Sequence, residues 1–176
     1  DIFIGKELIK RTSVIPVVNP FTGEPFAEVS LAGSVEIDKA INLAEEAFKK
    51  TRVLPSYQRS LICAEVARGI QDRSDEFSRI IAQESGKPLT YARAEVARSV
   101  STFEIASQEA LRLDGEMLTL DITESAHGKA GLTRRFPMGP KAGISSFNFT
   151  SNHVDHKVAT ALASGNDLII RTGSSP

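Results

Sequence analysis

Gly139-Pro140-Lys141-Ala142-Gly143-Ile144-Ser145-Ser146-Phe147-Asn148-Phe149 opens the stretch that decides the fold, and Gly165-Asn166-Asp167-Leu168-Ile169-Ile170-Arg171 closes it. The first run reads as a strand that ends in a polar loop. Between the two, Val154, Val158, Ala161 and Leu162 recur at intervals of three or four, the spacing of one helix face. Gly165-Asn166 supplies the left-handed residue that ends a helix. Leu168-Ile169-Ile170 is a short continuous apolar run, as expected of a parallel strand buried on both faces. Strand, helix, strand in that order makes the class α/β.

Upstream, helical spacing dominates. Ile37, Ile41, Ala44 and Phe48 predict a first helix, with Ser34 placed to cap it. A second follows Pro55, where Ile62, Cys63, Val66, Ala67 and Ile70 form one stripe. A third runs from a cap at Ser74 through Phe77, Ile80 and Ile81 to Gly86-Lys87-Pro88, where a left-handed glycine and a proline stop it. A fourth covers about Thr90 to Leu113, with Val96, Val100, Phe103 and Ala110 on one side and Gly115 closing it. Before these helices, Ile2–Ile9, Val14–Val18 and Phe26–Val29 are β-rich, with Asn19-Pro20-Phe21-Thr22-Gly23 as turn chemistry. Met117–Ile122 and Leu132–Phe136 alternate around a polar loop at Ser125–Gly131, which predicts the two strands of a hairpin or arm.

The chain has 176 residues, 41% hydrophobic and 24% charged, with 21 Lys+Arg against 22 Asp+Glu. Length alone suits one domain of ~100–200 residues. A net charge of −1 and plentiful aliphatic residues argue against disorder. The lack of a basic excess argues against a nucleic-acid partner. One cysteine excludes a disulfide framework and a multi-cysteine zinc site. No run reaches the ~18 apolar residues of a membrane helix, and no secretory signal opens the sequence. The expectation is a cytoplasmic protein with no membrane partner.

Neither G-x-G-x-x-G nor G-x-x-x-x-G-K-[ST] occurs, so an anion would have to be received by a helix N-terminus. Cys63 lies on an apolar helix stripe and reads as a packed core thiol rather than a nucleophile. His153 and His156 are spaced to share a metal, but no third ligand follows at a diagnostic distance, and no metal is expected. Arg134-Arg135 reads as a solvated strand edge, and Asn148-Phe149-Thr150 carries no weight as a glycosylation acceptor without a secretory signal. No G-x-S-x-G elbow marks a hydrolase. Asn148 has two readings: a cap for the following helix, or an NH2 donor to a developing oxyanion at the mouth of the sheet. Spacing alone favours the cap.

Phe147-Asn148-Phe149, Asn152, His156-Lys157-Val158-Ala159, Ala161-Leu162-Ala163 and Gly165-Asn166 together closely resemble the aldehyde dehydrogenase superfamily. Val18-Asn19-Pro20-Phe21-Thr22-Gly23-Glu24 is similar to its N-P-x-T-G-E turn, and Glu84-Ser85-Gly86-Lys87-Pro88 to its E-x-G-K-P helix end. Arg134–Pro140 resembles the variant of branches that act on small, lactaldehyde-like aldehydes. These ordered blocks span essentially the whole chain. The resemblance implies the N-terminal part of that fold: a Rossmann-like parallel sheet with flanking helices and a β arm. Its parts would be residues 1–115, the strands and helices of the cofactor-binding domain; 116–136, an oligomerisation arm; and 137–176, the start of an incomplete Rossmann-like βαβ.

The implied activity is NAD(P)-dependent oxidation of a small aldehyde to an acid. In the family a cysteine thiolate attacks the aldehyde, hydride passes to the nicotinamide, and a glutamate-activated water hydrolyses the thioester. Asn148 matches the family's oxyanion-stabilising Asn. Ile144, Ser145, Ser146 and Phe147 match the loop lining the cofactor. Arg171 stands where the family has a ribose-binding Lys, followed by Thr172 and Gly173, and Ser174 falls near the residue that senses the 2′ position. A Ser there tolerates a 2′-phosphate, so NAD or NADP is expected. The arm implies a homodimer or homotetramer.

Departures from the family pattern cluster at Lys141, Ser146, Thr150, Ser151, His153, Asp155, Thr160, Asp167, Thr172 and Gly173. A charge at Lys141 in a buried strand is costly unless it escapes or pairs. Arg for Lys at 171 changes the donor geometry offered to ribose. The family's nucleophile, general base and G-S-x-x-x-G turn all fall beyond Pro176. The expectation is therefore a fragment of an enzyme, lacking its nucleophile. The alternatives are a non-catalytic remnant that binds or oligomerises, or an acylating, CoA-dependent reductase.

Overall fold

Gly5, at φ 63°, folds the first β-rich run back on itself, so it forms two strands rather than one. β1 (Ile2–Ile4) and β2 (Glu7–Ile9) pair antiparallel across a two-residue turn of the kind that requires positive φ. The computed structural model from which this follows describes residues 1–146 and 148–173. β3 (Val14–Val18) and β4 (Pro25–Ser30) make a second antiparallel pair, with Val14 opposite Ser30. Their connection closes on Asn19, whose carbonyl accepts the Gly23 N–H at 2.8 Å and whose Oδ1 accepts the Phe21 N–H at 2.9 Å.

Four helices follow where the spacing placed them: α1 (Ser34–Thr51), α2 (Ser56–Asp72), α3 (Ser74–Ser85) and α4 (Leu89–Ala110). The serine caps are not used. Ser34 and Ser74 are the first helical residues, and Gly33 and Arg73 occupy the cap positions. At α1 the work passes to Glu36, which accepts the Gly33 N–H at 2.8 Å and the Arg11 guanidinium at 2.8 Å. A third-position carboxylate satisfies an orphan donor as well as a serine does. Gly86 ends α3 at φ 66°, as the sequence suggested. A Cβ there would lie 2.9 Å from Pro20 Cγ, so the same glycine seats the Asn19–Gly23 turn against the helix end.

The core lies where α2, α4 and α5 (Asn152–Ala163) meet, built from Cys63, Ala67, Val100, Phe103, Ala159 and Ala163. Small side chains on three faces let the helix axes approach closely. Cys63 is fully buried, and burial pushes its thiol up, consistent with a packing role. Helix α4 ends at Ala110, short of Leu113, and Gly115 does not close it. A Cβ on Gly115 would sit 1.7 Å from the Thr133 carbonyl oxygen, so this glycine serves the base of the arm instead.

In the arm, β5 (Met117–Thr119) pairs antiparallel with β6 (Ala130–Leu132), and a single 3-10 turn at Glu124–Ala126 lies between them. The second strand starts earlier than its alternation suggested and excludes Arg134–Phe136. The Thr133 N–H still reaches the Glu116 carbonyl at 2.8 Å, and there the ladder stops. Beyond it the Arg134 guanidinium stacks over the Phe136 ring at 5.2 Å.

The deciding stretch folds as the sequence indicated. β7 (Lys141–Ile144) runs parallel to β8 (Leu168–Arg171), with Lys141 beside Leu168 and Ile144 beside Arg171, and α5 makes the crossover. Gly165, at φ 74°, ends α5 in a Schellman arrangement: Asn166 N–H to Ala161 O at 2.9 Å and Gly165 N–H to Leu162 O at 3.1 Å. Leu168, Ile169 and Ile170 are half-buried, against the expectation of burial on both faces. Among the described residues this sheet has two strands, too few to enclose them. Lys141 is likewise half-buried, and its ammonium escapes to the rim beside Met138 Sδ at 3.6 Å.

The accessible surface is 11914 Å² for 19.0 kDa, against about 8,400 Å² for a compact monomer of that mass. Many large apolar side chains are exposed, among them Ile37 and Ile41 of α1, whose spacing marks one helix face. Among the described residues no helix is long and apolar enough to cross a membrane.

Candidate functional site

Ligands of parallel α/β sheets bind beyond the carboxyl ends of the strands. Here that edge carries Ile144, Ser145, Ser146 and Asn148 at and after the end of β7, and Arg171, Thr172 and Gly173 at and after that of β8. The parallel register brings the two groups side by side, with the Ser145 N–H donating to the Arg171 carbonyl at 3.0 Å. Ser145 is buried. Ile144, Ser146, Arg171, Thr172 and Gly173 are exposed along the rim. Ile144 offers an apolar side chain 66% exposed, and Arg171 offers guanidinium donors. Phe147 and Ser174, also expected at the cofactor edge, lie outside the described residues.

Asn148 does not cap α5, which overturns the reading that spacing favoured. The helix begins at Asn152, with Ser151 at the cap position, so Asn148 lies too far upstream. Its Oδ1 instead accepts the Ser146 hydroxyl at 3.2 Å. A carboxamide engaged through its oxygen retains two N–H donors for another acceptor. Ser146 Oγ is also hydrogen-bonded to His153 Nδ1, and the Phe149 and His153 rings lie 5.7 Å apart. His153 is thereby drawn into the Asn148 loop, while His156, one turn on, is exposed. Among the described residues no group of three or more His, Cys, Asp or Glu side chains could hold a metal ion.

The start of α5 is held from another helix. Glu95 of α4 is 2% exposed, and its Oε1 accepts the Ser151 N–H at 3.0 Å and the Asn152 N–H at 3.5 Å. Its Oε2 pairs with Lys87 Nζ, which also stands over the Phe149 ring at 4.7 Å. The Arg98 guanidinium lies 5.6 Å from the same ring. Ser99 adds bonds to Ser151 Oγ at 3.0 Å and Asn152 Oδ1 at 3.4 Å. The Asn152 Nδ2 is buried with no hydrogen-bond partner among the described residues. None of Lys87, Glu95, Arg98 and Ser99 entered the sequence reading of the site. A signal existed: Glu95 interrupts the apolar stripe Ala92, Val96, Val100 and Phe103, and a carboxylate on a core face must find a partner.

A sequence profile of the Aldehyde dehydrogenase family matches residues 8–175. The 3-sulfolactaldehyde dehydrogenase of Priestia megaterium is 31% identical over 170 residues, covering 97% of this chain and 35% of that protein. The crystal structure of aldehyde dehydrogenase 21 from Physcomitrella patens, in complex with the reaction product succinate, superposes with a TM-score of 0.91 at 33% identity, covering 97% of this chain and 36% of that one. Glyceraldehyde-3-phosphate dehydrogenase from Methanocaldococcus jannaschii, complexed with NADP, gives 0.84 at 31% identity, covering 92% and 34%. The chain thus spans about a third of the length of the relatives it matches. With the parallel βαβ and its loop-borne Asn148 in place, the chain belongs to the aldehyde dehydrogenase family.

Proposed function

We propose that this chain is the N-terminal part of an enzyme that oxidises a small aldehyde to its acid with NAD or NADP, and that it supplies the oxyanion donor and one wall of the cofactor site. The observation that carries the reading is the position of Asn148, on the loop leaving β7 at the carboxyl edge of the parallel strands, released from capping α5.

The rim suits a dinucleotide. The apolar face of Ile144 fits against a planar ring, and the Arg171 guanidinium and Thr172 hydroxyl offer donors to ribose or phosphate oxygens. A bound nicotinamide supplies the hydride acceptor. Asn148 donates its N–H to the aldehyde oxygen as negative charge grows there, which lowers the barrier more than it strengthens substrate binding. The Ser146 hydroxyl fixes the other end of the carboxamide, so little reorientation is needed during reaction. The nucleophile and the water-activating base belong to the remainder of the enzyme.

On this reading residues 1–115 and 137–176 are parts of the cofactor-binding domain, and residues 116–136 form the arm that builds a homodimer or homotetramer. The open β5–β6 edge and its exposed Met117 and Leu132 support that role. A free, buried Cys63 suits a reducing cytoplasm.

Purified native protein supplied with NAD⁺ or NADP⁺ and a series of short aldehydes should give reduced cofactor and the acid. An intact mass near 19 kDa together with no turnover would defeat the reading in favour of a binding remnant. Acyl-CoA as the product would move it to the acylating class.

A further inference from the structure

We infer that Lys87 and Glu95 act as a positioning pair for the Asn148 loop, an inference that rests on the proposed role of Asn148. Lys87 follows α3 and Glu95 lies on α4, so neither is on the loop or near it in sequence. Both nevertheless grip its two ends. At the far end, Glu95 Oε1 fixes the first amides of α5 through Ser151 and Asn152. At the near end, the ammonium that neutralises Glu95 also stands over the ring of Phe149, the residue next to Asn148. One buried carboxylate and one half-buried ammonium therefore set both the helix start and the aromatic neighbour of the carboxamide.

Each partner is costly without the other. Glu95 is almost fully buried, and a buried carboxylate that loses its counterion disrupts whatever it is bonded to. A cation over an aromatic face gains strength where water is excluded. Ser146, itself hydrogen-bonded to His153, holds the carboxamide oxygen from the solvent side, so the loop is gripped on two sides. Purely structural stabilisation would not need the ammonium to reach Phe149, since the pair with Glu95 alone completes the cap.

The full-length protein tests this with Lys87→Met, which keeps the apolar stem, and Lys87→Arg, which keeps the charge. Amide hydrogen exchange in the peptide spanning residues 148–153 should rise on the order of 10-fold in Lys87→Met, with α2 and the C-terminal half of α4 unchanged, and should recover in Lys87→Arg. kcat should fall on the order of 10-fold or more while the aldehyde KM holds. Unchanged exchange at 148–153, or a rise spread equally over α2 and α4, overturns the inference. If Lys87→Met fails to fold, Glu95→Gln keeps the volume and the acceptor, and the same local exchange signature is required of it. A local rise in exchange with unchanged kcat supports the clamp and counts instead against the catalytic role of Asn148.

Discussion

The buried carboxamide of Asn166 accepts the Gly139 N–H at 3.0 Å, joining the segment that enters β7 to the turn that enters β8. The same oxygen accepts the Met138 N–H at 2.7 Å, and Nδ2 donates to Ser164 Oγ at 2.7 Å. One side chain thus sets where both parallel strands begin. Asn166→Ala strands the buried Gly139 N–H, at about 1–3 kcal/mol for a buried donor left unpaired, while the exposed Met138 N–H can turn to water. Equilibrium urea unfolding should show a loss of about 1–3 kcal/mol, and an unchanged midpoint would show that other groups hold the Gly139 amide.

Gly143 lies under the crossover helix. A Cβ added there would come within 2.7 Å of Ile170 Cδ1 and 3.1 Å of Lys157 Cδ. Both contacts are side-chain atoms that can swing aside, so Gly143→Ala should destabilise by only about 1 kcal/mol, the low end of overpacking costs. Gly69, exposed on α2 with nothing within 4 Å, is the contrast. Gly69→Ala should stabilise by about 0.5–1 kcal/mol, because it lowers the entropy lost on forming the helix. Thermal melts of the two variants should move in opposite directions.

Two glutamates should give opposite pH signatures. The Gly33 N–H holds the Glu36 carboxyl below the usual range, with Arg11 assisting. Its contribution is present above the unfolded carboxylate value of about 4.3 and is lost as pH falls through the lower folded value. Glu36→Gln should therefore be less stable than the parent at pH 7, with the gap closing in acid. Burial holds the Glu84 carboxyl up instead, so stability is lost as pH rises through its folded value. Glu84→Gln should be more stable than the parent at pH 7, and this gap too should close in acid. Urea midpoints between pH 3 and pH 8 would check both.

Much of the fold was legible because its signals are local. Gly86 and Gly165 end helices where a left-handed residue is required, and the stripe at Val96, Val100 and Phe103 faces the core. The failures concern partners distant in sequence. Ser34 and Ser74 resembled caps, but Glu36 reaches back to cap α1. Asn148 resembled the cap of α5, but Glu95, more than fifty residues upstream, does that work. Gly115 resembled a helix stop, and its reason is Thr133 across the arm. Ile37 and Ile41 have the spacing of a buried face, yet spacing does not say which neighbour covers it. The carboxyl edge of the sheet was readable because the βαβ order fixes which strand ends lie together. The Lys87–Glu95 clamp was not, since it depends on how α4 crosses α5.

If Asn148 serves the transition state rather than the fold, as proposed, Asn148→Ala in the full-length protein loses turnover and keeps its stability. Steady-state oxidation of a small aldehyde should show kcat reduced by ~10²–10³, with cofactor affinity and unfolding midpoint unchanged. An unchanged kcat, or a loss explained entirely by a lowered unfolding midpoint, would contradict it.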